Sequence, residues 1–316
     1  MAQFGYQILG FGSFTSAGGP GTWANAGDTI HTALGSVAVL GNGSAAVIGG
    51  GHSDNSTCED WNGSAFSSTD SLTTGRRSAR GGGTQSSALI IGGQAGNPTT
   101  ASVESYDGST WSNANSLNIA GGTTTPATAV EDDNNAWSCS GFNRNGTGSG
   151  TNYNAEHPKH EIMRSGTWTT QGTDALTARY YIAGGSCGSS GNGASVTGQN
   201  SGGNSSKNEE YTFSSGSSGT WTTNTDITTS VGSNASGCFG KTSADDLVVF
   251  CGRTSGGTTA LTQEYSAGTW TAGNNYPVGV YGNSGGGQTG NGLSVGGYDG
   301  SSYTNAAYIF TRAIST

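Results

Sequence analysis

The chain has 316 residues, a formal net charge of −9 and only 11 lysine and arginine residues. This acidic balance argues against binding to duplex nucleic acid or to an anionic membrane surface, and no run of about 18 apolar residues is present to cross a bilayer. Glycine contributes 58 residues, yet 7 Trp, 12 Tyr and 9 Phe are spread along the chain. The composition therefore favours many short strands on thin apolar cores over disorder.

The first 20 residues form an apolar segment that precedes all the repeats described below. They lack the basic start and the small-residue cleavage site of a secretory signal, so we expect no export by that route. Such a segment can pair as an extra strand within its own fold or add a strand to a neighbouring subunit, and we favour the second. The candidate assembly contacts are Phe4, Tyr6, Ile8, Leu9 and Phe11.

The clearest repeat is residues 88–111, ALIIGGQAGNPTTASVESYDGSTW. An apolar run ends in two glycines, a polar loop follows, and a second run leads through a turn to a tryptophan. Short runs joined by turn residues predict β-strands. The pattern recurs about every 43 to 58 residues, a spacing typical of solenoids and propellers. Second-strand patterns occur at AAVIGG (45–50), ALIIGG (88–93), AWSCSG (136–141), ASVTG (194–198), LVVFCG (247–252) and LSVGG (293–297).

A third-strand pattern follows each of these runs. The six are CEDWNGSAF (58–66), VESYDGSTW (103–111), HEIMRSGTW (160–168), EEYTFSSGSSGTW (209–221), LTQEYSAGTW (261–270) and AAYIFTRA (306–313). The last unit has no tryptophan after its third strand, whereas an unpartnered Trp23 precedes the first unit. We therefore predict that residues 23–28 supply the outer strand of the blade formed by residues 278–316, which closes a ring and removes its open ends.

These patterns predict an all-β fold, a single six-bladed β-propeller over residues 21–316 with four antiparallel strands in each blade. Seven blades are the alternative, if residues 4–14 add further strands. The turn at Asp107-Gly108 needs a positive φ, which suits glycine. We expect the aromatic residue after each such turn to pack between neighbouring blades in a structural role. These residues are Trp23, Phe66, Trp111, Trp168, Trp221 and Trp270.

The paired glycines after an apolar strand, followed by an aromatic residue and a tryptophan at a fixed offset, resemble the kelch motif of β-propellers. Residues 73–117 are most similar to the glycine-rich kelch-like repeats found in proteins of marine and cyanobacterial bacteriophages. This resemblance implies a virion component that is assembled in the host cytoplasm and exposed on the particle surface. An extracellular type of composition without an export signal agrees with that location.

The predicted function is thus that of a non-enzymatic structural protein of a phage virion, mounted on a tail fibre, a tail or a capsid surface. It would serve in adhesion or protein docking during host attachment. The expected partners are other virion proteins, further copies of itself and a host surface glycan. Two alternatives stay open: a glycan-processing enzyme of the virion, with Glu156 or Glu161 as a candidate carboxylate, and a bacterial secreted or surface lectin. Propellers serve many functions, so the fold alone does not choose among them.

The candidate binding residues lie on loops that emerge on one face of the predicted propeller. The third unit has a long insertion between its second and third strands (142–160), and loops carried on a rigid scaffold often hold binding sites. Tyrosine and histidine suit both sugar stacking and protein contact. We expect a shallow polar site lined by Arg144, Tyr153, His157, His160, Tyr298 and Tyr303.

No cofactor or metal is expected. His157 and His160 could hold a metal weakly, but two solvated loop histidines are the favoured interpretation. The acidic run at residues 131–133 could bind Ca²⁺, but a solvated acidic turn is favoured. Of the five cysteines, Cys238 and Cys251 could face each other across a hairpin, and we favour buried free thiols over a disulfide.

Overall fold

The computed structural model describes residues 19–32, 34–96, 98–119, 123–143, 155–185, 193–215, 218–232, 236–240 and 246–312. All the regular structure in these residues is β-strand, arranged as six four-stranded antiparallel sheets and three two-stranded hairpins. No helix in the described ranges is long and apolar enough to cross a membrane. The candidate assembly residues Phe4, Tyr6, Ile8, Leu9 and Phe11 lie outside the described part of the chain.

The six sheets are the blades of a β-propeller, because their innermost strands contact one another in a closed ring that runs from each blade to the next and from the sixth back to the first. From the inner to the outer strand, blade 1 consists of Ala38–Gly41, Ala46–Gly49, Cys58–Trp61 and Phe66–Thr69, and blade 2 of Arg80–Thr84, Ser87–Ile91, Val103–Tyr106 and Trp111–Ala114. Blade 3 consists of Ala127–Asp132, Asn135–Cys139, His160–Arg164 and Thr167–Thr170, and blade 4 of Ala183–Gly185, Gly193–Val196, Asn208–Ser215 and Ser218–Thr223. Blade 5 consists of Ser236–Gly240, Asp246–Phe250, Thr262–Ser266 and Thr269–Ala272.

Blade 6 combines the two ends of the described chain. Its first three strands are Ser284–Gln288, Asn291–Val295 and Ala307–Thr311, and its outer strand is Thr22–Asn25. The outer strand pairs antiparallel with Ala307–Thr311, with Trp23 opposite Phe310. The predicted all-β, six-bladed fold is confirmed.

The apolar core is divided into six clusters, one between each pair of neighbouring blades. The cluster between blades 1 and 2, for example, contains Leu40 and Val47 from blade 1 with Tyr106 and Trp111 from blade 2. Each outer-strand aromatic residue faces a large residue of the third strand in its own blade. The pairs are Trp61–Phe66, Tyr106–Trp111, Met163–Trp168, Tyr211–Trp221, Tyr265–Trp270 and Phe310–Trp23. All six predicted aromatics therefore lie in the cores between blades.

Glycines in the inner strands let neighbouring blades approach closely around the axis. A Cβ atom on Gly81 of blade 2 would lie 2.1 Å from the carbonyl oxygen of Leu89 and 2.5 Å from Cδ2 of Leu40. On the other side of blade 1, a Cβ atom on Gly286 would lie 2.8 Å from the carbonyl oxygen of Val39. Side chains at these positions would push the inner strands apart, so glycine is required for the tight ring.

A carboxylate or amide on the third strand, partly buried in the case of Glu59 and buried in the others, binds the segment that enters the same blade. The carboxylates of Glu59, Glu104, Glu161 and Glu209 accept hydrogen bonds from backbone N–H groups of these entering segments, and the amide of Gln263 does the same in blade 5. These hydrogen bonds fix the position of the entering segment relative to its sheet in blades 1 to 5.

Three cysteines are free thiols, and because Cys251 is one of them it is not bridged to Cys238. Cys58, Cys139 and Cys251 are free and buried, and Cys238 lies opposite Val249 in the hairpin register. Burial raises the pKa of the Cys58 and Cys139 thiols to about 12. These thiols are therefore protonated at neutral pH.

Candidate functional site

One end of the propeller, here called the loop face, carries the loops between second and third strands and the segments that enter the inner strands. In an antiparallel four-stranded blade these two connections lie at the same end. On this face the residue after each second strand pairs with a residue of the entering segment. The pairs are Gly35 with His52, Arg77 with Gln94, Thr124 with Phe142, Tyr180 with Gln199, Gly232 with Arg253, and Tyr281 with Tyr298.

Hydrogen-bonded hairpins extend three of the loops on this face. They pair Phe142–Asn143 with Ala155–Glu156, Gln199–Asn200 with Gly203–Asn204, and Arg253–Thr254 with Gly257–Thr258. Neighbouring hairpins are joined by hydrogen bonds. The Ser201 N–H donates to Glu156 Oε1 at 3.1 Å, and Asn204 Nδ2 donates to the carbonyl of Arg253 at 2.9 Å. These links hold the loops of blades 3, 4 and 5 in fixed positions beside one another.

Two clefts open between these loops. The first, of about 330 Å³, lies among blades 2, 3 and 4 and is lined by Ser78, Gln94, Thr124, Phe142, Tyr180, Tyr181 and Gln199. The second, of about 460 Å³, lies between blades 4 and 5 and is lined by Gln199, Asn204, Thr229, Ser230, Arg253, Thr254 and Ser255. Gln199 borders both, so the two clefts adjoin. Cavities of this size with a few convergent polar groups suit small organic ligands or segments of a chain.

The backbone around the axis is strained where it borders the first cleft. Ser36, Ser78, Thr125 and Tyr181 occupy equivalent positions just before the inner strands and all have positive φ, 54° in the case of Tyr181. Their backbone groups form a chain of hydrogen bonds from blade to blade, in which the Ser78 N–H donates to the carbonyl of Ser36 and the Thr125 N–H to the carbonyl of Ser78. Glycine adopts this conformation readily, whereas a β-branched residue such as Thr125 or a bulky one such as Tyr181 does so at a cost in free energy.

Tyr181 is the bulky exception in that series. Its N–H donates to Oγ1 of Thr125 at 2.9 Å, which helps to hold the conformation. Its ring lies 4.7 Å from that of Tyr180, and the Tyr180 ring lies 5.1 Å from that of Phe142, measured between centroids. Three aromatic rings from two blades therefore form one wall of the first cleft.

The histidines of the third unit do not line this site, contrary to our expectation. His160 lies on the third strand of blade 3, is 0 % exposed, and has its ring centroid 4.1 Å from that of Tyr211. His157 is buried too, with Nε2 3.1 Å from Oγ1 of Thr123. Burial lowers the pKa of His157 to about 4 and of His160 to about 3. The alternation of side chains along the strand directs His160 into the core between blades 3 and 4.

The other predicted binding residues divide into two groups. Arg144 and Tyr153 lie outside the described residues. Tyr298 and Tyr303 lie on the loop face of blade 6 with their ring centroids 5.1 Å apart, but neither lines the two clefts.

The acidic turn after the inner strand of blade 3 is held by hydrogen bonds within the turn. Asp132 Oδ1 accepts from the Asn134 N–H at 2.8 Å and from Asn135 Nδ2 at 3.0 Å. Asp133 Oδ1 accepts from the Ser87 hydroxyl at 3.0 Å. Within the ranges that the structure describes, no group of three or more His, Cys, Asp or Glu side chains is arranged to hold a metal ion.

The cleft residues were missed by the sequence analysis, although a positional signal existed. His52, Gln94, Phe142, Gln199, Arg253 and Tyr298 each follow the glycine that ends a second strand. The position repeats in all six units while the residue type does not. Alignment of the six units on the glycine that ends each second strand identifies one residue of the loop face in each blade.

No protein-family model matches the chain, and no curated protein matches it. Among solved structures, the chain is similar to the structure of YjhT, with a TM-score of 0.71 and 13 % sequence identity, over 90 % of this chain and 99 % of that one. At this identity the likeness concerns the fold alone, which is a β-propeller over nearly the whole of both chains.

Proposed function

We propose that this protein is a non-enzymatic carbohydrate-binding module, carried on a bacteriophage particle, that attaches the particle to a glycan on the host surface. The observation that carries the binding part is Tyr181, a bulky residue held at positive φ on the wall of a cleft. Where a smaller residue would relieve the strain, the retained ring indicates a role other than stability.

The chemistry of the first cleft favours a sugar. Phe142, Tyr180 and Tyr181 supply apolar ring surface, and Gln94 and Gln199 supply amides that both donate and accept hydrogen bonds. A pyranose ring has an apolar face and a rim of hydroxyl groups, and these match ring stacking and amide hydrogen bonding respectively. Aromatic side chains with polar tips suit such mixed surfaces.

The carboxylates considered for catalysis favour binding over hydrolysis. Glycoside hydrolysis requires a pair of carboxyl groups on opposite sides of the scissile bond. Glu161 is 0 % exposed and accepts the Asn118 N–H at 2.9 Å, so it serves the blade core. Glu156 accepts the Ser201 N–H at the junction of two hairpins. Among the residues that the structure describes, none that lines either cleft is a carboxylate.

The location on a particle is supported by the kelch-like repeats and by the composition. A rigid ring that exposes its loops on one face is well suited to display a binding site. Other virion proteins, including further copies of this chain, are the proposed partners for mounting. Immunogold labelling of purified particles with an antibody to the protein should decorate the tail or the capsid surface, and its absence from purified particles would contradict the virion assignment.

The binding assignment is tested separately with the isolated protein. On a glycan array, the wild-type protein should bind one class of neutral glycan. The variant Tyr181→Gly should lose at least tenfold in affinity while gaining thermal stability, because glycine relieves the strain at φ 54°. Leu176→Ala, which removes an exposed apolar side chain outside the clefts (55 % exposed), is the matched control and should bind normally. Failure to bind any glycan, or unchanged binding by Tyr181→Gly, would refute the proposal.

A further inference from the structure

Four rings form a continuous arc on the loop face of blades 6 and 1, next to the clefts but outside them. The centroids of Tyr281 and Tyr298 are 5.4 Å apart, those of Tyr298 and Tyr303 5.1 Å, and those of Tyr303 and His52 4.6 Å. We call these four residues the aromatic arc. The three tyrosines are partly exposed and His52 is exposed, so the arc presents ring surface to a ligand from outside.

The arc is continuous with the second cleft through one side chain. Arg253 lines the second cleft, and its guanidinium carbon lies 5.3 Å from the centroid of the Tyr281 ring. The clefts in turn adjoin at Gln199. The loop face therefore carries one uninterrupted track that begins at Phe142 in blade 3, passes through both clefts and ends at His52 in blade 1.

The backbone beneath the arc is adapted to the rings that lie on it. A Cβ atom on Gly35 would lie 2.8 Å from Cε1 of Tyr303, so any larger residue there would displace the tyrosine. The bridge between Tyr281 and Tyr298 joins their backbones by two hydrogen bonds, of 3.0 and 2.8 Å. Main-chain hydrogen bonds thus hold Tyr281 and Tyr298 in place beneath the partly exposed rings of the arc.

On the basis of the proposed carbohydrate binding, we infer that the arc is a second sugar subsite and that the ligand is a linear, neutral polysaccharide bound along the track. A single terminal sugar would need only one cleft. The net charge of −9 disfavours a polyanionic chain. Neutral rings and amides predominate along the track, and the guanidinium of Arg253 already lies against a tyrosine ring.

Linked subsites have a measurable consequence. Once one part of a chain occupies the clefts, its next units meet the arc at a high effective concentration, so a longer chain binds more tightly without any change in the individual contacts. We expect the octasaccharide to bind about 100-fold more tightly than the disaccharide. The probes are linear neutral oligosaccharides from disaccharide to octasaccharide, in the glucan, mannan and galactan series, titrated by calorimetry.

Four variants separate binding in the clefts from binding along the extended track. Tyr298→Ala should reduce the ratio of octasaccharide to disaccharide affinity from about 100 to near 1, whereas Tyr298→Phe, which keeps the ring, should retain most of it. Tyr181→Gly should weaken the binding of both lengths, and Leu176→Ala should change neither. Melting temperatures no lower than that of the wild type would exclude unfolding as the cause.

The outcomes distinguish this inference from the function on which it rests. The extended track would be overturned if the wild type bound short and long chains with equal affinity, or if Tyr298→Ala left the ratio of octasaccharide to disaccharide affinity unchanged. Either result would leave carbohydrate binding in the clefts intact. Binding confined to anionic glycans would overturn the assignment of a neutral chain. No binding to any oligosaccharide would overturn the proposed function itself.

Discussion

Arg179 Nη2 lies 3.0 Å from Oε2 of Glu209, with both side chains buried where a segment enters blade 4. The same guanidinium donates to the carbonyls of Thr197 and Lys207. Thr197 follows the second strand of blade 4 and Lys207 precedes the third strand, so Arg179 joins the entering segment to both. Tyr180 and Tyr181 follow Arg179 directly. The ion pair therefore fixes the residues that form the wall of the first cleft.

Removal of one partner from this ion pair should be strongly destabilising. Glu209→Ala would leave the Arg179 guanidinium buried without a counter-charge, and we expect a loss of about 3–5 kcal/mol in the free energy of unfolding. Urea titration followed by tryptophan fluorescence measures it. Glu131→Ala, at an exposed position, should stay within about 0.5 kcal/mol of the wild type. A comparable small loss for Glu209→Ala would show that the pair does not hold the blade.

Blade 3 provides the natural contrast, because a neutral residue occupies the position of the arginine in its entering segment. Thr123 stands where blades 2 and 4 have Arg76 and Arg179, and burial raises the pKa of Glu161. Because the pKa of Glu161 is raised in the folded state, the stabilisation of the fold by this group is fully present below the unfolded pKa of about 4.3. That stabilisation is lost as the pH rises through the folded pKa.

We therefore expect Glu161→Gln to be stabilising relative to the wild type at pH 7 and less so at pH 4. The glutamine can still accept from the Asn118 N–H, and its amide can donate to the Thr170 hydroxyl, which now lies 3.2 Å from the carboxylate. Unfolding free energies of the two proteins at both pH values measure the change. A difference that does not grow with pH would contradict the raised pKa.

Buried histidine should have the opposite effect, so that the free energy of unfolding decreases as the pH falls. The pKa of His160 is lowered to about 3 by burial, so the unfolded chain, with an ordinary histidine pKa of about 6.5, binds the proton first. The contribution of this pKa difference to the free energy of unfolding is fully present above about pH 6.5. It declines by up to about 1.4 kcal/mol per pH unit as the pH falls toward the folded pKa.

His160→Phe removes this proton uptake while keeping a ring among Trp137, Tyr211 and Trp221. We expect the slope of unfolding free energy against pH, between pH 6.5 and 5, to fall by up to about 1.4 kcal/mol per unit in the variant. The slope is the informative quantity, because the larger ring shifts the stability at every pH. An unchanged slope would mean that His160 is not the group that takes up the proton.

The inner strands should tolerate no side chain at Gly81. The Cβ atom of Gly81→Ala would lie against the carbonyl of Leu89 and the side chain of Leu40, and we expect a loss of about 2 kcal/mol or more. Gly256→Ala is the matched control, since its nearest neighbour would be Thr254 Oγ1 at 3.6 Å. Thermal unfolding of both variants measures the difference, and equal melting temperatures would disprove close packing at the axis.

The architecture was predictable from the sequence because it depends on features that repeat. Six glycine-terminated strands and six aromatic residues at a fixed offset, Trp111 and Trp270 among them, indicate six equivalent cores. The clefts were not predictable in this way. Each blade contributes a different residue, such as Phe142, Gln199 or Arg253, at the same position, so no shared residue type marks the site. The burial of His160 was missed because its pairing with Cys139, which sets the direction of its side chain, is a tertiary property.

The pairing of Thr22 with Thr311 also determines when the molecule can be completed during synthesis. Blades 1 to 5 consist of consecutive strands and can form as each leaves the ribosome, in N- to C-terminal order. The sixth sheet cannot form, and the strand of Trp23 stays unpaired, until residues 307–311 have been made. Because this last contact spans the longest sequence separation in the fold, its formation carries the largest loop-closure entropy. An arrested or truncated chain would therefore expose two open blade edges at once, and the ring would become resistant to unfolding only when its final strand arrives.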